Sequence, residues 1–461
     1  MDNEEDLLAH FVALYAKASS CNDAELRRLD EEKQKREGTR LECPTIPRVR
    51  KSVLQVYREM EQNYFRRSFR MSYHALCRLL RLIEPTLEKE MDSKRNEPGY
   101  VERAPNGPID LLVRVAAAIR FFAGAEAYDI SVMFGISHRS VFDSLDCVAV
   151  NAINGTEAMD IKFPTDQDEQ RKIARGFQMK SPVAKIDFCV GCVDGMLVWI
   201  HKPTKEECKA SGVDESKYFC GRKHKFGLNL QAVCDHKKRF TDISIRYVAS
   251  TSDHLAFEVS GLKKKIVSVP GFFADELCLF GDNAYVNVFF MATPFPNVSG
   301  DEIRKDGYNF YHSQLRITIE GAFAWLTQVW GMLRKQMPKK YSTKKIMAIV
   351  SCLCRLHNFL IDDKKDHSPV PSSEEDEWNL TVSGAVPLER NHNGIMLPLQ
   401  LMDAGHHHND DPLRLRRERR RDQPTLPRAE MLRTVESLPR SQLLAAVEEN
   451  NLRRPGRHPR R

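Results

Sequence analysis

Apolar residues recur at helical spacing between about Val53 and Asn154. The stretches "SYHALCRLLRLIEPTLEKEM" and "GPIDLLVRVAAAIRFFAGA" both repeat apolar positions every three or four residues, which is typical of amphipathic helices. Pro108 lies near the first turn of the second stretch. Proline is favoured there because N–H groups of the first turn have no acceptor within the helix, so the N–H that proline lacks is not needed. The pattern predicts an all-α region.

The next stretch, "YDISVMFGISHRSVFDSLDCVAV", predicts a short helix, a turn at 135–137 and a second helix capped by Ser137. Two interpretations follow from this spacing. One is a helix-turn-helix-like element, with His138, Arg139 and Ser140 at the start of a DNA-recognition helix. The other is an ordinary helical hairpin within a bundle.

From about Ala184 the pattern changes to short runs rich in β-forming residues. Four of them predict strands: "VGCVDGMLVWI", "LNLQAVCD", "FTDISIRYVA" and "ELCLFGD". The stretch "SDHLAFEVSGLKKKI" predicts a helix, and two long helices follow in "SQLRITIEGAFAWLTQVWGMLRK" and "KKIMAIVSCLCRLHNFLI". The first of these carries one apolar stripe at positions 315, 319, 322, 326, 330 and 333. Strands followed by long helices predict a mixed α/β layered domain.

These patterns divide the chain into four segments. Residues 1–50 are charged, and we expect them to be partly disordered. Residues 51–155 form the helical region, and residues 184–361 form the α/β domain. Residues 362–461 make a polar, basic tail that we expect to be mostly disordered, with one short helix near 440–450.

Charge and cysteine content narrow the class of protein. The formal net charge is +7, and the tail contains the basic runs "LRLRRERRR" and "RRPGRHPRR" after an acidic run at 372–378. A basic tail favours DNA or RNA as partners. The N-terminal sequence does not contain a basic segment followed by an apolar one, so we expect no signal peptide. No apolar run of about 18 residues is found in the sequence, so we expect no membrane span. Cysteines inside apolar runs fit reduced thiols in the nucleus or the cytoplasm.

Three acidic residues interrupt the apolar pattern of the α/β domain. Asp194 lies inside the first strand, Asp282 ends "LCLFGD", and Glu320 follows Ile319 of the apolar stripe. A buried carboxylate is unfavourable unless a cation meets it. If the three acids meet at one sheet edge, oxygen-only ligation favours Mg²⁺ or Mn²⁺. Two such ions could serve catalysis of phosphodiester cleavage.

Each of these acids also has a structural interpretation. Asp194 could be a salt-bridge partner, and "GDNAY" could be a turn in which Asp282 binds its own backbone. Glu320 lies one helical turn after Arg316, a favourable pair. The next acids in this domain, Asp235 and Asp253, have two interpretations: groups that support the three acids from behind, or solvent-exposed turn residues, which the local sequence favours.

Two further features of this domain lead to expectations. In the loop before the second strand, Arg222, Lys223 and Lys225 either contact DNA phosphate or form a solvated basic loop. Cys189 and Cys192 are three residues apart on one strand, so they are predicted to point to opposite faces.

The motifs "CVDGMLVWIHKP", "LNLQAVCDHKKRF", "GDNAY" and "YHSQLRITIEGAFAWL" resemble the PIF/Harbinger transposases and the domesticated nucleases derived from them, within the DDE superfamily. The resemblance covers most of residues 65–361, and it rests on the order of the four motifs rather than on any one of them. It implies an RNase H-like catalytic domain, a mixed sheet flanked by helices, preceded by the helix-turn-helix-like region. It also implies that Asp194, Asp282 and Glu320 are the catalytic acids and ligands of Mg²⁺ or Mn²⁺.

The same resemblance implies a nuclear, metal-dependent DNA endonuclease or transposase, a hydrolase of phosphodiester bonds that joins transposon ends to target DNA. It further implies a Myb-like partner protein, and we expect a homo-oligomer. A different class stays open: a domesticated, catalytically silent DNA-binding protein that keeps the fold. An enzyme of the same fold acting on RNA is a further alternative.

The chain departs from the family pattern at two places. It has "VASTSDHLAF" where the family often has Pro-Gly-Ser followed by His-Asp. It also has "GAFAWLTQVWGML" where a glycine and a basic residue commonly follow the phenylalanine. The first departure weakens the match of a loop, and the second bears on contacts with DNA strands. Neither removes one of the three acids.

Overall fold

A mixed β-sheet with helices packed around it is the framework of the chain in the computed structural model. The structure describes residues 49–95, 108–181, 186–298, 302–366, 388–390 and 396–398, together with Leu444. The described residues from Arg50 onward belong to one compact unit. The predicted helix near 440–450 and most of the basic tail lie outside the described residues.

The part of the chain before the sheet is helical, as its apolar spacing predicts. The helices are α1 (Val53–Phe69), α2 (Tyr73–Arg95), α3 (Leu111–Phe122), α4 (Ala127–Phe134), α5 (His138–Leu145) and α6 (Gln167–Lys180). A π-helical segment, Asp146–Ile153, continues α5 directly, and a 3₁₀ turn follows at Glu157–Met159. Helix α6 was not predicted.

The turn between α4 and α5 follows the predicted chemistry. Gly135 adopts the left-handed conformation that ends α4, with φ 61°. The hydroxyl of Ser137 accepts the amide hydrogen of Ser140 at 3.0 Å, so Ser137 is the N-cap of α5. Both predicted helices are therefore present, while a DNA-reading role for the pair stays a prediction.

The remaining elements include all the strands of the sheet together with further helices. They are β1 (Cys189–Trp199), α7 (Lys205–Ser211), β2 (Phe219–Cys220), β3 (Lys225–Cys234), β4 (Phe240–Val248), α8 (Asp253–Glu258), α9 (Gly261–Ser268), β5 (Cys278–Phe280), β6 (Met291–Ala292), α10 (Ile303–Val329), α11 (Thr343–Asp366), β7 (Leu388–Arg390) and β8 (Met396–Pro398). All four predicted strands are present. The predicted helix after β4 is two helices, because Ser260 caps a new start by accepting the Lys263 amide at 3.1 Å.

The sheet runs in the order β4-β3-β1-β5-β6, and β2 pairs with the first residues of β3. Strands β1 and β3 are antiparallel, whereas β1, β5 and β6 are parallel. The short strands β7 and β8 form a separate antiparallel pair. A mixed sheet of this kind, flanked by helices, is consistent with the RNase H-like domain that the resemblance implies.

The apolar stripe of α10 packs inward. Leu315, Ile319, Ala322 and Leu326 are buried, and α10 begins at Ile303, earlier than the stripe predicts. The helix ends at Val329, and a 3₁₀ turn, Gly331–Arg334, carries the last stripe position.

One prediction about the strands is wrong. The sulfurs of Cys189 and Cys192 lie 4.0 Å apart rather than on opposite faces of β1. The pairing of β1 with β5 shifts register between Cys189 and Gly191, and such an irregularity breaks the alternation of side chains along a strand. Both thiols are buried and free.

Among the described residues, no helix combines the length and apolar character that a membrane crossing requires.

Candidate active site at the sheet edge

Asp194 lies in the middle of β1, opposite Ala232 of β3, and its side chain is 20% exposed. One carboxylate oxygen, Oδ1, accepts the amide hydrogen of Gly195 at 2.8 Å. Burial raises the pKa of Asp194 to about 6. The Gly195 amide and Arg316 lower this pKa, whereas the charges of Asp282 and Asp253 raise it further. The strand thus holds a carboxylate whose charge is only partly compensated.

Asp282 follows β5 by two residues, at the parallel neighbour of β1. Its Oδ1 accepts the amide hydrogen of Ala284 at 2.8 Å, so Asp282 does form the turn that its structural interpretation predicts. Its charge nevertheless raises the pKa of both Asp194 and Asp253. The turn therefore places the carboxylate of Asp282 where its charge acts on the carboxylates of Asp194 and Asp253.

Arg316 on α10 is the cation that meets these acids. Its guanidinium donates to Glu320 at 2.5 Å and lies 3.7 Å from Oδ2 of Asp194. Burial opposes the charge of Arg316, but Glu320, Asp194 and Asp282 outweigh that effect and raise its pKa. The side chain of Glu320 is 47% exposed, and the predicted pair with Arg316 is present. Arg316 thus links Glu320 of α10 to Asp194 of β1.

Asp253, the first residue of α8, belongs to this site, although its local sequence predicts an exposed turn residue. That prediction is wrong: Asp253 is partly buried, and its Oδ1 accepts a hydrogen bond from Asn229 at 3.0 Å. Burial and then the charge of Asp282 raise its pKa, while the Asn229 hydrogen bond lowers it. A Cβ added to Gly195 would lie only 2.0 Å from that Oδ1, so Asp253 packs directly on the residue after Asp194.

The sequence contains a signal for Asp253 that hydrophobic periodicity does not reveal. Gly195 breaks an apolar strand directly after the acid, and a glycine in a strand often marks a close approach of another group. The group that approaches here is a carboxylate from a segment about sixty residues later, which strand periodicity cannot identify. Asp235, the other secondary candidate, is a turn residue as predicted, accepting the amides of Lys237 at 2.7 Å and Arg239 at 2.9 Å, but it is buried rather than exposed.

Tyr285 forms a neutral side of the site. It is buried, and its hydroxyl accepts a hydrogen bond from Gln231, which lies opposite Gly195 on β3. Burial and then the charge of Asp253 raise the pKa of Tyr285, with Asp194 and Asp282 adding to the effect. Its phenol therefore stays protonated while facing three carboxylates.

The basic loop is the tip of the β2–β3 hairpin. Arg222 and Lys223 are exposed there, and their charges lower the pKa of Asp253, which places them on the same side of the molecule as the acids. The ammonium of Lys225 lies 2.8 Å from the ring centroid of Trp199, a cation–π contact. The hairpin thus brings positive charge toward the acid cluster.

The predicted recognition residues lie elsewhere. His138 and Arg139 are exposed at the start of α5, where Arg139 pairs with Asp143 at 3.9 Å and the His138 ring contacts Phe142. Ser140 is partly buried and bonded to the Ser137 hydroxyl. In the described part of the chain, no hydrogen bond, ion pair or ring contact joins these three residues to the acids.

The donors of this site suit a hard divalent cation in their chemistry. Carboxylate oxygens are the ligands that Mg²⁺ and Mn²⁺ prefer, and Asp194, Asp253 and Asp282 each add negative charge that Arg316 alone does not balance. Within the described ranges, however, no group of three or more His, Cys, Asp or Glu side chains lies close enough together to hold a metal ion. Glu320 is engaged by Arg316.

Comparisons with known proteins show which family this part of the chain resembles. Residues 193–358 match the family described as DDE superfamily endonuclease, a range that contains all four acids and Arg316. The chain is also 22% identical over 300 residues to "Protein ALP1-like" from Arabidopsis thaliana, an alignment that covers 61% of this chain and 69% of the relative. The resemblance to the transposase-derived DDE family is thereby confirmed. No solved structure gives a significant match.

Proposed function

We propose that this protein is a metal-dependent DNA endonuclease that hydrolyses phosphodiester bonds. The observation that carries the proposal is the mutual electrostatic influence of Asp194, Asp253 and Asp282 at one sheet edge, within the region that matches the DDE endonuclease family. Carboxylates that raise the pKa of a buried neighbour are typical of functional sites, and Asp282 raises the pKa of both Asp194 and Asp253.

In this proposal Asp194, Asp282 and Glu320 would hold Mg²⁺ or Mn²⁺, and Asp253 would add a fourth carboxylate beside Asp194. A bound divalent cation would supply Lewis-acid activation of the attacking water and of the leaving oxygen. Arg316, which contacts both Glu320 and Asp194, offsets part of their negative charge in the absence of the cation. Because the phenol of Tyr285 is protonated, it adds no further negative charge to the site.

DNA is the proposed substrate, as the family assignment favours. Arg222, Lys223 and Lys225 on the β2–β3 hairpin would contact phosphates close to the acids. His138, Arg139 and Ser140 on α5 would contact DNA away from them. A second strand-transfer step onto target DNA, a Myb-like partner, a homo-oligomer and a nuclear location complete the proposal.

Nicking of supercoiled plasmid in the presence of Mg²⁺ or Mn²⁺ tests this function. Asp194→Asn, Asp282→Asn and Glu320→Gln should each reduce nicking at least a hundredfold while leaving the circular dichroism spectrum unchanged. Asp242→Asn is the matched control, because burial raises the pKa of Asp242 to about 6 as well, yet its charged neighbour is Lys265 rather than another acid. Full activity in any of the three site variants would contradict the assignment.

A catalytically silent DNA-binding protein is the second candidate. The ion pair between Arg316 and Glu320 favours it, because that pair occupies one of the proposed ligands. A silent protein would bind plasmid without nicking it in any divalent cation. Cleavage of duplex RNA but not duplex DNA, measured side by side, would instead identify an enzyme acting on RNA.

A further inference from the structure

Three arginines from distant parts of the chain meet beside the loop 123–125. Arg70 is the residue after α1, Arg120 lies in the last turn of α3, and Arg334 lies in the 3₁₀ turn after α10. Arg70 and Arg120 are partly buried, whereas Arg334 is exposed, so the group opens to solvent on one side. These residues belong neither to the acid cluster nor to the hairpin beside it.

Backbone carbonyls are the hydrogen-bond acceptors of all three side chains. Arg70 donates to Ala123 at 3.3 Å, Arg120 to Ser68 at 3.1 Å, and Arg334 to Gln328 at 3.4 Å. In the described part of the chain, none of the three forms an ion pair with a carboxylate. Each guanidinium has five N–H donors, so these carbonyls accept only a small part of the donor capacity.

The backbone at Gly331 fixes how close these groups lie. A Cβ added to Gly331 would be 2.6 Å from the Ala123 carbonyl oxygen and 3.2 Å from a terminal nitrogen of Arg334. The acceptor of Arg70 and the guanidinium of Arg334 therefore contact the same residue. Burial lowers the pKa of Arg70, and the positive charges of Arg334 and Arg120 lower it further.

Burial leaves part of this positive charge without a partner. The Nε atoms of Arg70 and Arg120 are buried and have no hydrogen-bond acceptor. Asp129 offsets the charge of Arg120 in part, and the nearby Glu126 is paired with Lys335 at 3.3 Å. Buried N–H groups without an acceptor are unfavourable, and an anion with several oxygens would relieve both the repulsion and the missing acceptors.

We propose that Arg70, Arg120 and Arg334 form a binding site for a phosphate group. Planar guanidinium groups match phosphate oxygens with paired hydrogen bonds, and three of them offer more donors than a single carboxylate could accept. The phosphate comes from a DNA strand or from a small phosphorylated molecule; only the DNA source rests on the proposed function.

The test uses the full chain and two probes, a 30-base-pair duplex and inorganic phosphate. For Arg70→Gln/Arg120→Gln, DNA affinity should fall about tenfold and the slope of log K against log salt should decrease by about 1 to 2, since each phosphate contact contributes about 0.9. The native chain should have a higher melting temperature in phosphate than in chloride of equal ionic strength. The variant should have the same melting temperature in both salts. Arg175→Gln, an exposed arginine of α6, is the matched control.

The outcomes separate the sources. A reduced DNA slope identifies a strand phosphate, and a lost phosphate shift with an unchanged slope identifies a small ligand. If both measurements match the native chain, the site does not exist. If the double variant does not fold, the single variant Arg334→Gln, at an exposed position, replaces it. For this variant the slope of log K against log salt should decrease by about 0.9, or the rise in melting temperature with phosphate should be smaller. Plasmid nicking, measured in parallel, reports separately on the proposed nuclease.

Discussion

Gly195 determines where a carboxylate of the site lies, although it has no side chain. Asp253 packs where a Cβ of residue 195 would stand, with its Oδ1 at 2.0 Å from that position, and Asn229 holds the same oxygen. The strand therefore needs glycine next to Asp194 for a reason that only its three-dimensional neighbours show.

Gly195→Ala should displace Asp253 from Asn229, because the added methyl group overlaps the carboxylate. We expect a loss of about 1 to 3 kcal/mol in the free energy of unfolding, measured by urea denaturation, and at least a tenfold loss of plasmid nicking. Gly261→Ala is the control, since a Cβ at Gly261 meets nothing within 4 Å. Native activity in Gly195→Ala would show that the position of Asp253 does not matter to the site.

Asp194 predicts how stability depends on pH in the absence of divalent cations. The folded chain keeps the proton of Asp194 up to about pH 6, whereas the unfolded chain releases it near pH 4. This residue therefore makes the free energy of unfolding fall as pH rises from about 4 to 6.

Asp194→Asn should remove this fall. Measured in EDTA, the variant should be more stable than the native chain by about 1 to 3 kcal/mol at pH 8 and differ little at pH 4, while nicking is lost. A variant that is less stable at pH 8 would identify Asp194 as a structural partner of Arg316.

At the scale of elements, helix α11 fixes the edge strand β4 by one side chain. Asn358 accepts the Phe240 amide and donates to the Phe240 carbonyl, both at 2.8 Å, and it is buried. Asn309 of α10 makes the corresponding pair with Phe295 at 2.8 and 3.0 Å, but at a partly exposed position.

Asn358→Ala should lower the free energy of unfolding by about 2 to 4 kcal/mol, because two buried backbone groups lose their partner. Asn309→Ala should have a smaller effect, about 1 kcal/mol, since water can replace the side chain there. Chemical denaturation of both variants checks the order, and an equal loss would mean that burial does not distinguish the two positions.

Local patterns located most elements but not their irregularities. Alternation and β-forming residues identified β1, β3, β4 and β5, and the stripe from Leu315 to Leu326 identified the core of α10. The register shift near Cys189 and the two-residue strand β6 depend on pairing with distant strands, so no local pattern shows them.

At the scale of the whole molecule, the basic tail bears on affinity for DNA. Deleting everything past Asp411 removes the runs "LRLRRERRR" and "RRPGRHPRR", which lie outside the described residues. We expect weaker binding to duplex DNA and a flatter dependence of log K on log salt, because fewer counterions are released. Fluorescence anisotropy at several salt concentrations measures this, and an unchanged slope would show that the tail does not contact phosphate.

The amino-acid sequence by itself determined most of the helices, the four main strands, the three acids in family motifs, and the Arg316–Glu320 pair, because each depends on neighbours within a few positions. The tertiary structure alone decided that Asp253 and Tyr285 join Asp194, that Arg316 reaches across to β1, and that the charges of Arg120 and Arg334 act on Arg70. Those groups come from segments far apart along the chain. Their proximity follows from how the strands pair and the helices pack, which periodicity and composition do not specify.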